Sequence, residues 1–253
     1  MRRWCRAEME FFIMANWSDP RMTARSDMMG ARGVAVDAGL RSYMLSVYNY
    51  MTSAVLLTGI VSYLFANSPY FEQVMTSPLR IVVMLAPLGF VMALSFGINR
   101  MSSGTAQALF WVYAFVMGIS LSTIFYVYNI GSIATTFAAT SASFAGLSLY
   151  GYTTKRDLGP WGTFLIMGLF GLIIAMLINM FFPIPGARLI IDIIGVLIFA
   201  GLTAYDTQKI KSTYFAVQGT EMMGKSAIMG ALQLYLDFIN MFLFLLRFMG
   251  GRR

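Results

Sequence analysis

The chain has 253 residues, of which 58% are hydrophobic and 11% are charged, whereas soluble domains carry about 25% charged residues, so the composition predicts an integral membrane protein. The net charge is +7, but the basic residues flank apolar segments, which favours control of membrane topology over nucleic-acid binding. The chain has no histidine and one cysteine, Cys5, which excludes histidine catalysis, histidine zinc sites and an intrachain disulfide.

The hydropathy pattern predicts an all-α integral membrane fold. Residues 1–42 form a polar arm, and residues 43–250 form one membrane domain with seven apolar segments, each of about the 20 residues that span a bilayer. The predicted helices are 43–65, 81–98, 106–128, 133–152, 161–182, 189–210 and 227–248. The fourth is rich in Ala, Ser, Thr and Gly, which favours close helix packing, with a polar pore lining as the alternative.

The distribution of Lys and Arg predicts the orientation in the membrane. With the arm on the cytoplasmic side, most of the 18 basic residues lie on that side, as the positive-inside rule requires. We therefore expect the N-terminus inside and the C-terminus outside, although the basic C-terminal sequence "RFMGGRR" works against this.

Asp206 and Asp237 lie within the sixth and seventh predicted helices, where a charge costs about 3 kcal/mol or more. A loop of about sixteen residues joins these helices, so they can pack antiparallel and bring both carboxylates to a similar depth. Two close carboxylates tend to share one proton, which would make a pH sensor without histidine. They also suit calcium, but the site is too poor in charge for more than weak, transient binding.

Two further charged residues are candidates for the site. Asp192 lies 14 positions before Asp206, so it occupies the same face of the helix about 21 Å away. That places Asp192 close to the outer surface, where hydration by water is the favoured interpretation. Arg100 ends the second segment, where position alone favours an interfacial anchor, although its side chain could also reach and neutralise the acid pair.

Two C-terminal segments, "AYDTQKIK" (204–211) and "LYLDFINMFLFLLRF" (234–248), resemble the signature segments of the Bax inhibitor family, also called the transmembrane Bax inhibitor motif family. "VYAFVMGISLSTI" (112–124) resembles the family's third helix. The resemblance covers residues 37–250 and points to the prokaryotic branch, hence to a bacterial inner membrane. It implies six helices that surround a central seventh helix.

The resemblance also implies a function, a pH-dependent calcium leak across the membrane. The family's aspartate pair, which senses pH, matches Asp206 and Asp237, and its closed-state arginine of the second helix matches Arg100, whereas Asp192 matches no family site. As a hypothesis, one shared proton and Arg100 hold the inner ends of helices two, six and seven together. Loss of the proton would separate the carboxylates and open a path for cations. We expect calcium as the transported ion and no cofactor.

The sequence leaves other functions open. Some relatives restrain a membrane protease or cell-death factors, so a non-conducting regulator that binds other membrane proteins is the main alternative, with the arm and the loop 211–225 as docking segments. An aspartyl intramembrane protease is disfavoured, because Leu236 rather than Gly precedes Asp237. We therefore expect no enzyme activity. A proton-coupled transporter is disfavoured by the lack of paired broken helices.

Overall fold

The computed structural model describes residues 20–98 and 100–251, with side chains from residue 38 onward. These residues form helices and no β-strand, which confirms the predicted all-α class. The helices are α1 (Pro20–Ala66), α2 (Tyr70–Thr76), α3 (Leu79–Gly97), α4 (Ser103–Leu121), α5 (Thr123–Val127), α6 (Ile130–Thr153), α7 (Gly159–Phe181), α8 (Ala187–Val217) and α9 (Met222–Met249).

Seven helical stretches within the described residues are long and apolar enough to cross a membrane, as predicted. They are Ala38–Ala66 of α1, Ser103–Val127 of α4 and α5, and the whole of α3, α6, α7, α8 and α9. The helices run further than the hydropathy pattern indicates. Most of the predicted loop between the last two helices is helical, and only residues 218–221 separate α8 from α9.

The chain divides into two compact units between Tyr43 and Met44. Residues 1–19 of the predicted arm, and all side chains before residue 38, lie outside the described residues. The arm therefore stays a prediction, although α1 begins at Pro20 rather than at residue 43. The unit that begins at Met44 contains all of the spanning stretches that come after α1.

Helix α9 is the most buried of the spanning helices. In its most apolar window 67% of the residues are buried, against 39% or fewer in the others. It packs against α8, α6 and α4. On the α4 side of α9, the Thr58 hydroxyl donates its proton to the Ala114 carbonyl at 2.9 Å. Its oxygen therefore accepts the second hydrogen bond, which the Tyr235 hydroxyl of α9 donates at 2.7 Å. The burial of α9 favours the predicted central position, which stays a prediction.

Helices α6 and α8 approach at the level of their backbones. A Cβ atom on Gly151 would lie 2.2 Å from the carbonyl oxygen of Ala204, closer than any real contact. A similar close approach occurs at Gly162 of α7, which faces the ring of Tyr205. Small residues permit such packing between membrane helices. Gly151, one of the small residues of α6, therefore allows close packing against α8.

Gly151→Ala is expected to destabilise the protein, because the added methyl group must push α6 away from the backbone of α8. Overpacking of this kind costs about 1–3 kcal/mol. The matched control is Gly146→Ala in the same helix, where the methyl group meets nothing within 4 Å. Thermal unfolding in detergent measures both, and equal melting temperatures for the two variants would contradict the close approach.

Candidate functional site

Asp206 of α8 and Asp237 of α9 lie side by side in the interior. Their exposed fractions are 5% and 4%, and the two carboxyl groups interact directly with each other. Gln233, one turn before Asp237 on α9, donates from Nε2 to Oδ1 of Asp206 at 3.1 Å. The antiparallel packing of α8 and α9 thus brings together the two acids whose positions in the sequence predict a pair.

The acid pair lines a cavity of about 430 Å³ between α7, α8 and α9. Helix α7 contributes only apolar side chains to its wall. The polar and charged lining comes from the other two helices: Asp206, Lys209, Gln233, Asp237, Asn240 and Arg247. Along α9, Asp237 and Arg247 are separated by about 15 Å of helix rise, so the cavity has charged groups at two levels.

The connection between α6 and α7 fixes the end of α8 that follows Asp206. Gln208 donates from Nε2 to the Arg156 carbonyl and accepts from the Leu158 amide, each at 2.8 Å. The Lys211 ammonium donates to the Tyr152 carbonyl at 2.8 Å. These polar side chains satisfy backbone groups in the last turn of α6 and in the turn that follows it, where no helical partner exists. They hold the helix that presents Asp206.

Lys209 is the cation that accompanies the acid pair in this structure. It lies one turn after Asp206 on α8, lines the same cavity and interacts electrostatically with both carboxylates. Its ammonium lies 6.0 Å from the ring centre of Tyr205. Lys209 is not among the candidate site residues that the sequence predicts, although its spacing of three positions from Asp206 is the spacing of helix neighbours.

Arg100 does not contact the acid pair in this structure. Arg100 is exposed, and its backbone amide donates to the Gly97 carbonyl at 2.9 Å. The ion pair found among the described residues is between Arg247 and Asp192, and Arg100 takes no part in it. The role of Arg100 as a closed-state partner of the aspartates stays a prediction.

The interpretation of Asp192 as a hydrated residue is wrong. Its exposed fraction is 3%, and its Oδ1 accepts from Nε of Arg247 at 2.8 Å. Asp192 lies near the start of α8, and Arg247 near the end of α9. The two ends meet because the helices are antiparallel. The sequence places Asp192 near the start of its helix but does not show that its side chain contacts Arg247 of α9.

The oxygen atoms around the acid pair form a sparse set for a metal ion. Among the residues that the structure describes, no three or more acidic or cysteine side chains gather in one place. The cavity offers two carboxylates and the amides of Gln233 and Asn240, whereas calcium takes six to eight oxygen ligands. This donor set fits weak and transient cation binding.

Comparison with known proteins identifies the family. Residues 40–253 match the family model described as "Inhibitor of apoptosis-promoting Bax1". The chain is 44% identical over 220 residues to the inner membrane protein YbhL of Escherichia coli. The aligned region covers 85% of this chain and 94% of the relative.

Two further relatives are similar over nearly their whole length. A protein of Rickettsia prowazekii is 47% identical over 86% of this chain and 92% of its own. A membrane protein of Streptococcus pyogenes is 34% identical over 85% of this chain and 94% of its own. The chain is therefore a membrane protein that belongs to the Bax inhibitor family.

Proposed function

We propose that this protein is a pH-sensitive calcium leak channel, gated by the buried pair Asp206 and Asp237. The observation that carries the proposal is that two buried carboxyl groups interact directly within one cavity of the membrane domain. Ionisable residues inside a membrane are costly, and they usually mark a path for ions or protons.

The surroundings of Asp237 support a proton shared within the pair. Its Oδ2 is buried and accepts no hydrogen bond from the described donor groups. Two ionised carboxylates are both acceptors and repel each other, so a hydrogen bond between them requires a proton on one. Gln233 supplies one donor to Asp206. A single proton between the carboxyl groups removes the repulsion and stabilises the packed arrangement of α8 and α9.

Loss of this proton supplies the gating step that we propose. A rise in pH leaves two negative charges side by side in a poorly solvated site, which favours separation of the helices or entry of a compensating cation. A hard divalent cation such as calcium suits carboxylate and amide oxygens. Lys209, beside the pair, offsets part of the charge, which keeps the site weak and allows the ion to leave.

We place the channel in a bacterial inner membrane with its N-terminus in the cytoplasm. The relative from Escherichia coli is named an inner membrane protein. The basic residues Lys155 and Arg156 follow the end of α6, and Lys211 contacts the end of that same helix, a cluster that the positive-inside rule assigns to the cytoplasm. No enzyme activity and no resident cofactor form part of the proposal.

Asp206→Asn and Asp237→Asn are each expected to flatten the pH response of calcium flux into proteoliposomes between pH 6 and pH 8. In the unmodified protein we expect flux to rise with pH, because the shared proton is lost. An amide cannot lose a proton in this range, so neither variant retains the switch. The measurement uses a calcium dye inside the vesicles.

The matched control is Glu72→Gln, which removes an exposed acid of α2 and should keep the normal pH profile. An unchanged profile in both Asp variants would reject the pair as the sensor. Absence of flux from the pure protein, together with a membrane protein that co-purifies with it, would favour the non-conducting regulator instead.

Arg100→Gln tests the predicted role of Arg100 as the closed-state partner of the aspartates, and removal of that cation is expected to increase calcium flux at the lower end of the pH range. Arg80→Gln, which changes an exposed arginine near the other end of α3, is the matched control and should leave flux unchanged. Equal flux from both variants and the parent protein would show that Arg100 serves only as an interfacial anchor.

A further inference from the structure

The ion pair between Arg247 and Asp192 lies far from the acid pair along the same two helices. Asp192 precedes Asp206 by 14 positions on α8, and Arg247 follows Asp237 by ten on α9, which correspond to about 21 Å and 15 Å of helix rise. The carboxylate of Asp192 is buried, whereas 31% of the Arg247 side chain is exposed. The pair therefore lies near the end of the α8–α9 contact that is opposite Lys209.

Aromatic rings hold the guanidinium of Arg247 in place. Its central carbon lies 4.2 Å from the ring centre of Phe244, a cation–π contact. The Phe244 ring in turn stacks on Phe199, with ring centres 5.8 Å apart and planes 27° apart. Gly195 leaves space for Phe244, since a Cβ atom there would lie 2.4 Å from the ring. The guanidinium thus contacts an aromatic ring as well as the carboxylate of Asp192.

Arg247 stands between two cavities. It lines the 430 Å³ cavity that contains the acid pair. It also lines a second cavity of about 180 Å³, together with Asp192, Arg188 and Asn179. Arg247 therefore lies where the two spaces adjoin.

A guanidinium in this position opposes the passage of cations in two ways. Its positive charge repels them, and the guanidinium, with the ring of Phe244 against it, occupies the place where the two cavities adjoin. The buried carboxylate of Asp192 keeps the guanidinium in place, because breaking the pair would leave an uncompensated charge. Movement of Arg247 away from Asp192 would remove the obstacle and expose a carboxylate to the path.

We propose that the Asp192–Arg247 ion pair is a second barrier of the channel, which closes the large cavity at the end away from Lys209. This inference rests on the proposed function, since a barrier to cations presupposes a cation path. It assigns Arg247 as the blocking residue and Asp192 as its positioning residue. The acid pair and this ion pair then control two different levels of one path.

A labelling experiment tests the barrier without any measurement of ion flux. In a Cys5→Ser background, Asn240→Cys places the single thiol on the lining of the large cavity, between Asp237 and Arg247. Membrane-impermeant thiol reagents, one cationic and one anionic, are added on the side where α9 ends. The labelling rate is compared among three proteins: this parent protein, its Arg247→Gln variant, and its Arg80→Gln variant as the matched control.

Arg247→Gln is expected to accelerate labelling by both reagents by about tenfold or more, because an open barrier admits either charge. Arg80→Gln should leave the rates near those of the parent, because Arg80 is an exposed arginine that lines neither cavity. An unchanged rate with Arg247→Gln would overturn the proposal. Faster labelling by the cationic reagent alone would also overturn it, since that result reports charge and not closure.

Two further variants distinguish loss of the ion pair from a folding defect. Asp192→Asn breaks the same pair from the other side and should accelerate labelling as Arg247→Gln does, whereas Arg247→Lys keeps the charge and should stay slow. Arg247→Gln should also raise calcium flux while its pH response remains, because the acid pair is intact. Faster labelling with no calcium flux from any variant would keep the barrier and reject the calcium channel.

Discussion

Burial of carboxylates in apolar helices is the constraint on which the membrane domain depends. Asp192, Asp206 and Asp237 are all nearly inaccessible, and each must find compensation inside the protein because water and lipid do not provide it. Asp206 and Asp237 use each other and the amide of Gln233, and Asp192 uses Arg247. Both sets of contacts lie between α8 and α9, so this one helix pair contains all three buried carboxylates.

The same constraint fixes how α8 and α9 align. From Asp192 to Asp206 the rise along α8 is about 21 Å, whereas from Asp237 to Arg247 it is about 15 Å along α9. The long side chain of arginine spans the difference of about 6 Å, which a short side chain at position 247 could not do. The two polar contacts therefore agree with one alignment of the helices, and a slip along the contact would leave buried charges without partners.

Helix α8 packs against α6 and α7 through contacts of different chemistry. On one side, the backbone of α6 meets that of α8 at Gly151, and the turn after α6 fixes the end of α8 through Gln208 and Lys211. On the other side, α7 is the least buried spanning helix and gives the cavity only apolar side chains. Such an arrangement gives α8 hydrogen-bonded contacts on the α6 side and an apolar cavity wall on the α7 side.

The sequence by itself determined the class, the seven spanning helices, and the similar depth of Asp206 and Asp237, because hydropathy and helix rise are properties of consecutive residues. It did not determine where the helices end outside the apolar segments, since polar residues such as Lys211, Ser212 and Thr213 also form helix. Only the tertiary structure decided which charges meet. Asp192 and Arg247 are 55 positions apart, and their contact depends on how α8 and α9 are rotated about their axes. That rotation is set by packing against α4, α6 and α7, which no local pattern records.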